Sequence, residues 1–455
     1  MKKKVHVVTF GCQMNEYDSQ RMVQMLSQKY APCSDPEKAD LIIVNTCSIR
    51  EKAENKVYSL VGRFKRLKKM RPGLKIAVTG CVAQQEGRKI QDRAPFVDIV
   101  AGPQDIYKLP QALEALEQGE SSIVLVSLRN DFQIPRIDAP LPEEKPVKTF
   151  ITIMQGCNNF CTYCVVPYTR GREVSRPLED VMDEASRAID QGVKEITLLG
   201  QNVNSYGKGT GASFSTLLRS LCTISGLRRL RFTTSHPKDL SQDVIDCFGE
   251  LEPLCEHLHL PVQSGSNKIL KRMNRKYTRE HYLDIVKRLR ERCPEIILTT
   301  DLIVGFPGET QHDFEQTISL LKEVEFDQIF AFKYSPRPNT KAAQFDDQVN
   351  DQTKSERLAH VLELQNEISL RRYGQLVGNT VEVLVEKVSK GREGQLTART
   401  RGNHVVNFVG PPNLIGNFCQ VLIEKASYHS LQGVLFQQSA SPLHNDNKMF
   451  TLPIA

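Results

Sequence analysis

The sequence predicts an α/β protein with a β addition. An N-terminal parallel α/β sheet domain is followed by a central partial (β/α)6 barrel and a small C-terminal antiparallel, OB-like β-barrel. Three observations carry this. Short β-rich runs alternate with charged amphipathic stretches through residues 1–118; a proline-bearing segment then interrupts the alternation, which resumes over 148–371; and five strand-like runs without helical spacing fill 372–437. At 455 residues the chain exceeds one ordinary hydrophobic core, and 40% hydrophobic residues suffice for several.

In the first segment Val5 to Phe10, Leu41 to Thr46, Leu74 to Thr79 and Val97 to Ala101 read as strands, with an amphipathic helix from Arg50 to Met70. Residues 119–147, with prolines at 135, 140, 142 and 146, read as a linker. The second segment offers six strands: Phe150 to Met154, Glu195 to Leu199, Leu230 to Thr234, His257 to Pro261, Ile297 to Val304 and Gln328 to Tyr334. Leu178 to Gln191 and Arg279 to Arg292 are helical between them. Six βα units make a barrel smaller than the eight-unit form, with functional residues at the C-terminal ends of its strands. The last segment offers Thr380 to Val388, Gly394 to Arg401, Val405 to Val409, Phe418 to Glu424 and Leu431 to Phe436, as small oligonucleotide-binding barrels do. Residues 438–455 carry no periodicity and read as a flexible tail.

No stretch approaches the roughly 20 apolar residues that span a bilayer. The opening MKKKVHVVTF runs straight into Gly11-Cys12 with no cleavage site, so it reads as a first strand, and the protein as cytoplasmic, without a membrane partner and monomeric by default. Twelve cysteines in that compartment argue for metal or catalysis where they cluster. The formal charge of +7 permits nucleic-acid binding without establishing it. Basic runs at 63–69, 271–276 and 287–290, and Arg399, Arg401, His404 and Phe408 in the last segment, are candidates for phosphate contact and base stacking.

Cys157, Cys161 and Cys164 follow directly on a strand. Thiolates are the ligands of iron–sulfur clusters. Three of them on a four-iron cluster leave one iron open to a chelating ligand, such as the amino and carboxylate groups of S-adenosylmethionine. A zinc knuckle is the alternative; against it, no fourth Cys or His stands nearby at a zinc-like interval. Cys12, Cys47 and Cys81 are too far apart to form a sequence motif, yet each comes immediately after a strand. In a parallel sheet those ends lie on one edge, where three thiols can converge on a metal site, and Gly11 and Gly80 would permit close backbone approach. The cysteines at 33, 222, 247, 255, 293 and 419 form no pattern and read as packing residues or surface thiols.

The stretch MQGCNNFCTYCVVPYTRGREVSRP resembles the signature of the radical SAM methylthiotransferases, and TFGCQMNEYDS, NTCSIR and TGCVAQ resemble the segments of that family's N-terminal domain. The last segment resembles a TRAM domain, an RNA-binding module. The resemblance covers the chain to about residue 437. It implies a [4Fe-4S] radical SAM cluster on Cys157, Cys161 and Cys164 and an auxiliary [4Fe-4S] cluster on Cys12, Cys47 and Cys81. It places Tyr163 beside S-adenosylmethionine, Gln201 and Asn202 on its methionine side and Ile303 on its adenine side.

Within the family, HLHLPVQSGSNKILKRMNRKYTREHYLDIV and FKYSPRPNTKAA are most similar to the bacterial group acting on N6-isopentenyladenosine at tRNA position 37. Asn339 stands where many relatives have Gly. The implied reaction places a methylthio group on adenine C-2. One S-adenosylmethionine serves as methyl donor and a second as source of the 5'-deoxyadenosyl radical. The implied partners are the tRNA anticodon stem-loop and a low-potential electron donor such as flavodoxin or ferredoxin, with the sulfur donor unassigned. Alternatives are the same chemistry on N6-threonylcarbamoyladenosine or on a ribosomal protein, and, in another class, a zinc-containing RNA-binding protein without catalysis.

Overall fold

A computed structural model describes residues 2–47, 51–141, 146–208, 211–389 and 394–436, without the side chains of 51–56. The tail at 438–455 and the Ser48-Ile49-Arg50 part of NTCSIR lie outside the described residues. The chain divides into two compact units, one of residues 1–372 with 401–403 and one of 373–400 with 404–455.

The first unit begins with a six-stranded, wholly parallel sheet. Its strands are β1 (Lys3–Thr9), β2 (Tyr30–Pro32), β3 (Leu41–Thr46), β4 (Lys75–Gly80), β5 (Ile99–Ala101) and β6 (Ile123–Leu125), in the order β2-β1-β3-β4-β5-β6. Parallel strands covered on both faces read as continuous apolar runs, and LIIVNT of β3 is buried at every position. Its residues alternate between two cores. Leu41 and Ile43 pack with Met22 and Leu26 of the helix Gln13–Leu26, whereas Ile42 and Val44 pack with Val57, Val61 and Phe64 of the helix Glu51–Met70. Two short strands of this sheet escaped the sequence reading: β2, and β6 inside the segment read as a linker.

Six further parallel strands follow as expected: β7 (Lys148–Thr152), β10 (Glu195–Leu199), β11 (Arg229–Phe232), β12 (His257–His259), β13 (Ile297–Val304) and β14 (Gln328–Lys333). Between β7 and β10 lies a two-stranded antiparallel piece, β8 (Met154–Gln155) with β9 (Val174–Ser175). The six strands form two three-stranded sheets, β11-β10-β7 and β12-β13-β14, rather than one continuous ladder. A single bridge, Leu230 to Leu254, continues the ladder beyond β11. One large core, from Ile151 to Val361, packs both sheets against their helices.

The second unit is a closed barrel of β15 (Thr380–Val388), β16 (Gln395–Thr400), β17 (Val405–Val409), β18 (Phe418–Ala426) and β19 (Leu431–Leu435), ordered β15-β16-β17-β19-β18. It is not antiparallel throughout: β17 and β19 pair in parallel, which closes the five strands and removes both sheet edges. The stacking surface read from Phe408 and His404 is overturned. Phe408 is 1% exposed in the barrel core, and His404 is buried edge-on against Tyr373. Alternation along β17 puts Val406 and Phe408 inside together.

Among the described residues no helix is long and apolar enough to cross a membrane.

Candidate functional site: two cysteine triads at strand ends

In an open parallel sheet, ligands bind beyond the strand C-termini at the point where strand order reverses. Here that point lies between β1 and β3, and the residues just past those strands include Cys12 and Cys47. Cys81 follows the next strand, β4. Gly11 and Gly80 hold φ of +126° and +92°. A Cβ on Gly11 would collide with Cys47, and one on Gly80 with the Thr46 carbonyl. These glycines therefore let the three thiol-bearing turns pack against one another, a more specific role than general backbone approach.

Buried polar groups fix this edge. Asn45, at the end of β3, donates to the Asn15 carbonyl (2.8 Å) and to Ser19 Oγ (3.0 Å). Asn15 in turn donates to the Thr46 carbonyl (2.8 Å) and accepts from the Cys12 thiol (3.4 Å). A hydrogen bond with Cys47 brings the Cys12 thiol down to about 6 against the pull of burial, with Arg170 assisting. Burial pushes the Cys81 thiol up.

The second triad lies in the loop after β7 and β8. The Asn159 amide approaches Cys157 Sγ (3.5 Å), and a turn links the Cys164 amide to the Cys161 carbonyl (3.0 Å). The segment 272–275 sews this loop in place. Asn274 Nδ2 donates to the carbonyls of Asn159 (3.1 Å) and Phe160 (2.9 Å), while Thr162 Oγ1 donates to the Arg272 carbonyl (3.0 Å). Arg275, read from sequence as one of a basic surface run, is buried. Its Nη1 lies 3.5 Å from Cys161 Sγ and 3.4 Å from the Tyr163 hydroxyl, and its Nη2 donates to the Pro261 carbonyl (2.7 Å). Sequence offered no sign of this, because a Lys/Arg run looks the same whether it faces solvent or a thiol. Burial, and then the neighbouring Cys161 charge, push Cys164 up to about 12. Burial likewise raises Cys157. Thiolates crowded this way repel one another, and a cationic iron core would relieve that repulsion.

Of the other candidate residues, Tyr163 and Ile303 come together around Phe306, Tyr163 meeting the Phe306 ring edge-on at 6.4 Å. Gln201 Oε1 accepts from the Gly156 amide (2.5 Å) at the base of the cysteine loop. Asn202 turns its Nδ2 to Asp239 (2.7 Å). Asn202 Oδ1, Gln155 Nε2, Ser235 Oγ and the Tyr334 hydroxyl are all buried without a hydrogen-bond partner among the described residues, and each lies just past the C-terminal end of a barrel strand. Orphaned polar groups at the mouth of the strands suit a small polar cofactor there. Among the described residues no three His, Cys, Asp or Glu side chains close around a point as a single metal ion requires.

Residues 151–321 match the Radical SAM superfamily, residues 4–102 the uncharacterized protein family UPF0004, and residues 374–436 the TRAM domain. Fold, thiol loop and these matches define a radical SAM protein, a class that implies a [4Fe-4S] cluster and S-adenosylmethionine. A tRNA-2-methylthio-N(6)-dimethylallyladenosine synthase of Desulfotalea psychrophila is 48% identical over 452 residues, covering 96% of this chain and 100% of the relative. Those of Geobacter metallireducens (49% over 440 residues; 95% and 98%) and Clostridium botulinum strain Loch Maree (49% over 432; 94% and 96%) align as fully. The chain belongs to the tRNA-2-methylthio-N(6)-dimethylallyladenosine synthase family.

Among solved structures, the fold is similar to the radical S-adenosylmethionine methyltransferase TsrM from Kitasatospora setae (TM-score 0.55, 13% identity, 87% of this chain and 81% of that one). It is also similar to the cobalamin-dependent radical enzyme OxsB (TM-score 0.52, 13% identity, 78% and 56%). At these identities the likeness is one of fold.

Proposed function

We propose that this chain is a radical SAM methylthiotransferase that replaces the C-2 hydrogen of N6-dimethylallyladenosine, at position 37 of the tRNA anticodon stem-loop, with a methylthio group, acting in the cytoplasm. The observation that carries this is the pair of thiol triads, each at the C-terminal edge of its own set of parallel strands, in a chain that aligns almost end to end with relatives named for that product. One [4Fe-4S] cluster on Cys157, Cys161 and Cys164, an auxiliary one on Cys12, Cys47 and Cys81, and S-adenosylmethionine supply, when bound, the electron, the radical and the methylthio atoms, which no side chain offers.

The chain's own residues hold and orient. Arg275 sets a fixed positive charge beside Cys161, and Asn274 clamps the loop that carries all three thiols. Tyr163, Ile303, Gln201 and Asn202 surround the approach to that loop and take S-adenosylmethionine. The partners are tRNA, the TRAM barrel contributing to its binding, and a low-potential flavodoxin- or ferredoxin-like donor.

The test mixes reduced, cluster-loaded enzyme and S-adenosylmethionine with anticodon stem-loops bearing either N6-dimethylallyladenosine or N6-threonylcarbamoyladenosine. Deoxyadenosine and a methylthio product with the first RNA alone are expected. Product on the second would reassign the substrate, and absence of deoxyadenosine with both would end the radical reading.

A further inference from the structure

Arg170 stands six residues beyond Cys164, in the barrel's own loop, yet its side chain reaches the other triad. It is 3% exposed, as is Asp18, and the two form an ion pair of 2.7 Å between Nη2 and Oδ2. The same Nη2 lies 3.4 Å from Asn15 Oδ1, the atom that accepts from the Cys12 thiol. Nη1 has no hydrogen-bond partner among the described residues, and the guanidinium interacts with Cys81 and Cys12. The backbone is anchored too: the Arg170 amide donates to the Val166 carbonyl (2.8 Å), and Gln104 Nε2 donates to the Arg170 carbonyl (3.4 Å). A buried arginine that pairs with one carboxylate, keeps one nitrogen without a hydrogen-bond partner among the described residues and interacts with two thiols is costly to keep unless further anionic charge faces it.

We infer that Arg170, oriented by Asp18, is a positioning residue of the auxiliary centre, lending the barrel's positive charge to the anionic group held by Cys12, Cys47 and Cys81. This rests on the proposed assignment of a cluster to those three cysteines. Three thiolates leave such a cluster with net negative charge, and nearby charge and hydrogen bonds set its reduction potential. The barrel loop thereby completes a site whose ligands all come from the N-terminal sheet.

The test uses full-length protein carrying Cys157→Ala, Cys161→Ala and Cys164→Ala, so that the auxiliary centre alone is read. Its midpoint potential is measured by EPR-monitored titration with Arg170→Gln, Arg170→Lys or Asp18→Asn added. Removing the cation should lower the potential, removing the carboxylate should raise it, and lysine should restore it toward the parent. Opposite shifts from the two partners are not what a loss of packing would give. Unmoved potentials, or shifts of the same sign, with iron retained would overturn the inference alone. Absence of iron from the parent triple variant would remove the cluster assignment, and the inference with it. Should Arg170→Gln fail to fold, Asp18→Asn against Arg170→Lys still reads the sign.

Discussion

Asn274 shows how one side chain can hold a catalytic loop. Its φ is +60°, which asparagine tolerates better than most residues, and its amide bridges two successive carbonyls of the cysteine loop. Asn274→Ala loses both hydrogen bonds and strains the backbone, a local cost of about 2–3 kcal/mol. Chelator should then strip iron from the Cys157/Cys161/Cys164 site several-fold faster while auxiliary iron leaves at the parent rate; equal rates at both sites would refute the clamp. His236 is a second case. Burial, with Arg275 and Lys238 nearby, brings its imidazole down to about 2 from an ordinary 6.5. Below pH 6.5 the unfolded chain takes a proton that the folded one refuses, so this contribution to stability is present above 6.5 and is lost progressively as pH falls. At about 1.4 kcal/mol per pH unit, the protein should lose about 2 kcal/mol more between pH 6.5 and 5 than His236→Gln does, read from urea unfolding. Equal losses would show that His236 titrates normally in the fold.

At the scale of elements, the helix Gln13–Leu26 carries the N-terminal sheet onto the barrel through buried charge. Glu184 pairs with Arg176 (2.8 Å), accepts from the Tyr17 hydroxyl (3.3 Å) and lies 3.6 Å from Arg21. Both arginines are almost wholly buried. Tyr17 and Arg21 sit four residues apart on one helical face, which is why one carboxylate meets both. Glu184→Ala leaves two buried cations facing each other and should cost about 3–5 kcal/mol in denaturant unfolding; a loss below 1 kcal/mol would mean that the network is idle. The basic runs illustrate the converse. Lys68 pairs with Asp98, Arg272 with Asp347 and Arg288 with Asp284 (2.9 Å), so part of the local positive charge is matched within the protein, the last two pairs at its surface.

On the scale of the whole molecule, the two triads belong to different sheets with different cores. Changing Cys12, Cys47 and Cys81 to alanine should therefore leave deoxyadenosine formation intact and abolish methylthio transfer. Iron should fall from roughly eight to four atoms per chain, as it should when Cys157, Cys161 and Cys164 are changed instead. Loss of both activities together would argue against separate centres. The TRAM barrel has its own closed core around Val383, Leu396, Phe408 and Ile423, so its fold does not depend on residues of the cluster loops.

Much of this was legible in the chain itself. Short β-rich apolar runs bounded by charged helices located ten of the parallel strands, because a strand buried on both faces has few other ways to be written. The CxxxCxxC spacing and the strand-end positions of Cys12, Cys47 and Cys81 marked both triads, since the thiols are local to turns that the strands define. The short strands β2 and β6 went unseen, β6 because it lies in a segment whose prolines read as a linker, and the side of β17 on which Phe408 faces depends on register, not on residue type. Only the tertiary structure decided that Arg275 leaves a basic run to sit beside Cys161, and that Arg170 crosses from the barrel to the N-terminal sheet. A charged side chain in sequence is equally compatible with solvent or with a buried partner, and which it meets is settled by elements more than a hundred residues away.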